Sequence, residues 1–212
     1  MKAEVLATES AILGGAVLQL SDWKIATDIV AAEEHYVQEH HPLYVFCKVS
    51  STDLASIQTL EQAGFGFSEF RIYTQLHIQN DYTGYEAFYP YKLMQLGEKD
   101  QLKQAQKLLL KNRPDDRFFH DPLLKQTLSR EREVQNLDKS FRSYPSEFIL
   151  GLFNTNTGKL VAFRSGAIRQ RRIAHYYLSA VASGVDKTRF AEILDHSCIA
   201  WLREKGVSHI HA

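Results

Sequence analysis

Residues 178–191 read LSAVASGVDKTRFA, an apolar stretch that breaks at Ser183-Gly184 and resumes with helical spacing. A strand that enters a helix through a polar turn can hold an anion. The first helical turn presents unpaired N–H groups and about half a positive charge, whatever side chains it carries. Lys187 and Arg189 would add charge at that corner, whereas Asp186 opposes it unless its carboxylate turns inward as a helix cap. The alternative is an ordinary corner. In that case Asp186 or Thr188 caps a core helix whose buried face is Phe190, Ile193, Leu194, Ser197 and Trp201.

Other reactive residue types offer less. His196 and Cys198 are two apart on that helix and do not face each other, which argues against a thiol–imidazole nucleophile. His209 and His211 share one face of a short strand, but two imidazoles without an adjacent carboxylate or thiolate make a poor metal site. His40-His41 reads as a solvated helix end. No GxxxxGK[ST], GxSxG or HExxH occurs, which removes the common signatures of phosphate-loop NTPases, serine hydrolases and zincins.

The elements that must position these residues alternate along the chain. Residues 27–40 carry apolar positions at helical spacing and end before His41-Pro42, where proline disfavours helix at the preceding residue. YVFCKVS (44–50) reads as a strand. A helix follows, capped by Ser51, Thr52 or Asp53, with Leu54, Ile57, Leu60 and Ala63 inward and Gly64 at its left-handed end. FSEFRIYTQLHI (67–78) alternates like a long strand, so residues 1–80 form a β-α-β-α-β subdomain. Turn residues over 81–92 mark a linker. Two helical patterns (98–112 and 122–141) come next, then strands 147–154 and 159–168 around the hairpin signal TNTG. A strand over 173–182 leads into the corner and its helix, and VSHIHA (207–212) forms one more strand.

Composition narrows the partners. Net charge is zero, yet residues 1–90 hold 12 acidic and 4 basic residues against 13 and 21 in residues 91–212. A polyanionic ligand would therefore prefer the second half, or the halves attract each other. Nucleic acid is disfavoured, because RQRR at 169–172 is the one dense basic run and reads as a hairpin turn. No apolar run approaches the roughly 20 residues of a membrane span and no secretory leader is evident, which points to a cytoplasmic protein without a membrane partner. Cys47 and Cys198 are expected as free thiols.

The order of residues 93–212, two helices, a three-strand meander, a helix and a fresh strand, resembles the GCN5-related acyl-CoA N-acyltransferases. That resemblance implies a mixed-sheet α/β acyltransferase fold and acetyl-CoA as acyl donor. It also implies that the third strand holds the pantetheine arm and the following corner the pyrophosphate. The family turn, Gln/Arg-x-x-Gly-x-Gly/Ala, lies over Asp186, Lys187, Thr188, Arg189, Phe190 and Ala191, of which only the last position matches. Direct acyl transfer needs oxyanion donors, expected from the backbone around Ala180 and Val181, and a base on the third strand, for which His175 and Tyr177 share a face.

Three stretches resemble the nucleotide-amino-sugar N-acetyltransferases in particular: SSTDLASIQTLEQAGF, RFFHDP (117–122) and the strand-turn-helix. This implies a nucleotide-linked amino sugar as acceptor, with Arg117 and Asp121 at its phosphate side, and leaves a homodimer open. Equally, Asp121-Pro122 is a standard helix entry. In the family a further helix and two strands follow, the helix commonly supplying a tyrosine that protonates the leaving thiolate; this sequence stops at Ala212. Three expectations stay open: a piece of a longer protein, an N-terminal unit that takes over the missing role, or a non-catalytic relative that binds a ligand or partner.

Overall fold

The computed structural model describes residues 2–21, 31, 35–69, 71–79, 88–112, 117–121, 124, 126–170 and 172–212. Most of the expected linker falls outside these residues, as do much of the helix read over 27–40 and the Arg171 position of RQRR. By contact the chain divides into two compact units, residues 1–70 with 116–132, and residues 71–115 with 133–212. Among the described residues no helix is long and apolar enough to cross a membrane.

The first unit holds a three-stranded sheet in the order β1 (Lys2–Val5), β2 (Val17–Ser21), β3 (Tyr44–Cys47). β1 runs antiparallel and β3 parallel to β2. Helix α1 (Ala7–Leu13) joins β1 to β2, residues 35–40 are helical, and α2 (Leu54–Gln62) follows β3. Asp53 caps α2 by accepting the Ser56 N–H at 3.1 Å, and Gly64 takes φ +92° just past its end, as that stretch predicts. Leu20 and Leu60 centre a small core with Tyr36, Val45 and Phe65 beside it. The long strand expected over 67–78 is a strand only at Gln75–His77, here β4, and it pairs in the other unit's sheet. Thr74 still exchanges backbone hydrogen bonds with Ala212, but over 71–73 the alternating pattern lies outside the ladder, and Ile72 and Tyr73 are exposed.

The second unit is built on a six-stranded mixed sheet in the order β4, β9, β8, β7, β6, β5. These are β5 (Tyr91–Gln95), β6 (Glu147–Asn154), β7 (Lys159–Arg169), β8 (Ile173–Val181) and β9 (His209–His211). All neighbours run antiparallel except β8 and β9. Tyr91 and Lys92, read from sequence as linker, begin β5 because their backbone pairs with Phe153 and Asn154 of β6. The β6–β7 hairpin closes where Asn154 Oδ1 accepts the N–H groups of Asn156 and Thr157, at 3.0 and 3.2 Å, and Gly158 adopts φ +65°.

Two apolar layers cover this sheet. On one face α6 (Lys187–Glu204) lays Phe190, Ile193, Leu194, Cys198 and Leu202 against Leu150, Leu152, Ala174 and Ile210. On the other, α3 (Lys99–Lys111) and residues 133–142 of α5 (Gln126–Arg142) cover Ile149, Phe153, Leu160 and Phe163 with Leu102, Leu109 and Leu137. Both faces of the middle strands are therefore dry, which is why β6 reads as an unbroken apolar run rather than an alternating one. A short helix α4 (Arg117–His120) belongs to the first unit.

Candidate functional site

β8 is the strand on which the site is built, and it is irregular where it matters. Arg164 pairs with Ser179 and Gly166 with Tyr176, so one residue of β7, Ser165, faces two of β8, Tyr177 and Leu178. This is a β-bulge, which kinks the strand that carries the extra residue. Ser165 fills the gap in the ladder: its hydroxyl, fully buried, accepts the Leu178 N–H at 3.1 Å. Gly166 makes room for the close approach, since a Cβ there would lie 2.4 Å from the His175 carbonyl oxygen.

The bulge also reverses the facing of the strand. Ala174 and Tyr176 pack on the α6 side, whereas Leu178 and Ala180 pack on the α3 side. β8 pairs with β9 only over Ile173–His175. From Tyr176 onward its ladder runs along β7 alone, because β9 reaches only to His211, the partner of His175. The Leu178 and Ala182 N–H groups point toward β7, bonding Ser165 Oγ and the Val161 carbonyl. Alternation then directs the N–H groups of Ser179 and Val181 away from β7, into the opening beside β8 where no strand among the described residues pairs. The Val181 carbonyl on that side accepts from Asn112 Nδ2 at 3.3 Å. Of the two residues expected to supply donors, Val181 faces the opening and Ala180 faces β7.

His175 and Tyr177 stand on one face of β8, as their spacing predicts. Burial pulls the His175 imidazole below its ordinary value, and His211 and then Arg169 push it the same way. Its ring meets the ring of His211 edge-on with centres 5.0 Å apart. The Tyr177 hydroxyl accepts from Arg169 Nη2 at 3.2 Å, and that contact raises the Arg169 guanidinium. On the opposite face Arg164 is ion-paired to Asp195 of α6 and lies 4.4 Å over the Tyr176 ring. Cys198, on the same buried side, has its thiol pushed up to about 12 by burial and is no nucleophile.

The corner after β8 is a capped helix start. Gly184 takes φ +91° to turn the chain. Asp186 is the cap: its Oδ1 accepts the Arg189 N–H at 3.1 Å, and its carbonyl accepts the Phe190 N–H at 3.0 Å. The amides of Lys187 and Thr188 remain the donors of the first turn that an anion can meet. The Arg189 guanidinium lies 5.5 Å from the Phe88 ring centre. Phe190 turns into the core against Tyr91, and Ala191 is half-buried one position further along the helix. A run of six residues carried over as a phosphate-binding turn thus contributes two amides and two cationic side chains, with one carboxylate opposing them.

Asp121 is tied within the first unit, where its Oδ2 accepts the Tyr44 hydroxyl at 2.8 Å. The Arg117 side chain and Pro122 lie outside the described residues, so the expected phosphate-side pair is represented by Asp121 alone. Sequence reasoning passed over Ser165, Gly166 and His77, took Arg169 only as part of a hairpin turn, and set His211 aside as a poor metal ligand. The one sequence signal for the first two is a small Ser-Gly pair inside an otherwise apolar strand, LVAFRSGAI.

No protein-family model matches this sequence, and no curated protein matches it either. Solved structures do. A GCN5-related N-acetyltransferase from Sphaerobacter thermophilus superposes with a TM-score of 0.63 at 14% identity, over 99% of this chain and 65% of that one. A tandem GNAT protein from the clavulanic acid biosynthesis pathway gives 0.59 at 11% identity, over 93% and 66%. A GCN5-related N-acetyltransferase from Kribbella flavida gives 0.59 at 7%, over 92% and 70%. The chain spans about two thirds of the length of these proteins. It has the mixed α/β fold of the GCN5-related N-acetyltransferases.

Proposed function

We propose that this chain is an acyl-CoA-dependent N-acyltransferase that uses the unpaired edge of β8 beyond His175 for the pantetheine arm and the bulge for the reacting centre. The observation that carries the reading is the bulge at Tyr177–Leu178, beyond which the Ser179 and Val181 N–H groups turn away from β7. An extended chain of amides such as pantetheine is bound by such an edge as an added strand would be. The acyl-CoA supplies an activated thioester carbonyl, whose carbon is attacked by an amine as the C–S bond breaks.

The residues of β8 then divide the proton work. His175, held neutral by burial and by the positive groups beside it, accepts the proton that the amine loses. Tyr177, oriented by Arg169, hands its hydroxyl proton to the departing sulfur and recovers one from His175. The acceptor is an amino sugar, nucleotide-linked, on the strength of the stretches that resemble the nucleotide-amino-sugar enzymes; Arg117 and Asp121 are assigned to its phosphate side on the same ground. The capped corner favours a second reading. With Asp186 consuming the Arg189 amide, a relative that binds ligand without turnover is the alternative.

Calorimetric titration with acetyl-CoA and CoA tests the first claim, and thiol release in the presence of amine-bearing sugar nucleotides tests the second. Saturable binding with amine-dependent thiol release supports the enzyme. Binding without release supports the non-catalytic relative, and no binding at millimolar ligand removes the enzyme reading.

A further inference from the structure

We propose that the imidazoles of His77 and His209 form a surface clamp for a divalent transition-metal ion of the zinc class, which staples edge strand β4 to β9. Four histidines lie on one face of three adjacent strands, His77 on β4, His209 and His211 on β9, and His175 on β8. Their common face follows from the burial of Ile78, Ile210 and Ala174, the alternate positions, in the core on the other side. His77 and His209 are a cross-strand pair with ring centres 4.8 Å apart. Zinc–nitrogen bonds of about 2.0–2.1 Å at tetrahedral angles hold two ligating ring centres about 5 Å apart, so the pair is spaced to share one ion.

Two further features favour this pair over its neighbour. Ser208 Oγ lies 2.9 Å from His209 Nδ1; with Nδ1–H donating to that oxygen, the Nε2 lone pair is left for a metal. The inner pair, His175 and His211, has similar spacing but feels the Arg169 cation, which repels an ion there. His77 is exposed and His209 half-buried, so an ion can enter from solvent. Among the described residues no three His, Cys, Asp or Glu side chains converge on one point. Water must therefore complete the shell, and the ion is held reversibly. β4 has reason to need it: it is a three-residue strand at the edge of the described sheet, extended by backbone bonds from Thr74 to Ala212 and from Ile78 to Ser208.

The claim is independent of the acyltransferase reading and is tested without an activity assay. Zinc chloride is titrated into the untagged chain by calorimetry, and histidine ring signals are followed by NMR. One saturable site is expected, with the His77 and His209 resonances moving together and the melting temperature rising with zinc. His77→Asn and His209→Asn should each weaken zinc binding by at least about tenfold. His35→Asn, in a different histidine-containing segment, should leave it unchanged. Because His77 is exposed, its variant keeps the fold and reads the ligand role directly. Absence of a saturable site, or a site that survives His77→Asn at wild-type affinity, overturns the proposal.

Discussion

Gly166→Ala is the substitution that tests whether the bulge is a built feature. A Cβ at this position would sit 2.4 Å from the His175 carbonyl oxygen and 2.7 Å from Phe148 Cζ. Carbon–oxygen contacts settle near 3.3 Å, so about 0.9 Å must be found. A rotamer change cannot supply it, because the oxygen belongs to backbone held in the β7–β8 ladder and Phe148 is only 3% exposed. Two effects oppose each other. Alanine restricts the unfolded chain and would stabilise by about 0.4–1 kcal/mol at an unstrained site. Overpacking a close-packed interior costs about 1–3 kcal/mol, and a backbone clash belongs at the upper end. The net expectation is a loss of about 1–2 kcal/mol, seen as a lower urea midpoint at unchanged slope. Moving His175 by nearly 1 Å should also lower acyl transfer by about 100-fold. Gly151→Ala is the control: its Cβ would press on the buried tips of Leu160, Leu96 and Phe153, so it too loses stability by overpacking, but it lies away from His175 and should leave its ring signals unmoved. Stability at or above wild type for Gly166→Ala, with the His175 ring signals unmoved, would refute the reasoning.

Asp186→Asn keeps a good helix cap while removing the charge, so stability should stay within about 1 kcal/mol as CoA binding tightens severalfold; Asp186→Ala should lose about 1 kcal/mol, both by urea titration and calorimetry. His175 should titrate below the ordinary value of about 6.5 in an NMR titration, because its neutral form is the one the fold accommodates. The sign follows by linkage: the unfolded chain binds the proton more readily, so this contribution is present above the unfolded value and is lost as pH falls through the folded one. Neither thiol should react with a disulfide reagent at pH 8 in the native state, since burial raises Cys47 to about 11 and Cys198 to about 12, whereas both should react in urea. Pantetheine should bind within about tenfold of CoA, and added salt should change CoA affinity little, because Asp186 cancels much of the field a phosphate would feel.

What was legible in the sequence is what local chemistry dictates. The Asn154–Gly158 turn, the Asp53 cap, the left-handed Gly64 and the apolar face of α6 each depend on residues within a few positions of one another, and each stands where the pattern puts it. Pairing across the chain was not legible. The stretch 67–78 alternates like a strand along its length, yet a strand exists only where β9 offers a partner, at 75–77. Tyr91 and Lys92 look like turn residues until β6 pairs with them. Charge composition favoured an anion site in residues 91–212, but it was local capping chemistry, which offered Asp186 or Thr188, that foresaw the Asp186 carboxylate taking the Arg189 amide.

The bulge shows why the site itself could not be read in full. Alternation correctly puts His175 and Tyr177 on one face, because the count is regular up to the irregularity. Continued past it, the same count would face Leu178 and Ala180 toward α6, whereas both pack on the α3 side. The extra residue belongs to no motif in β8; it arises because Ser165, 13 positions away, offers a hydroxyl where the ladder lacks a carbonyl, and because Gly166 beside it has no Cβ. A bulge needs two strands, and its cause sits on the one that does not bulge. The residues most worth searching for in a strand of this kind are therefore not the histidine and tyrosine alone but a small polar-glycine pair in the preceding strand, which decides where the strand beyond reverses its facing and which of its amides turn away from that neighbour.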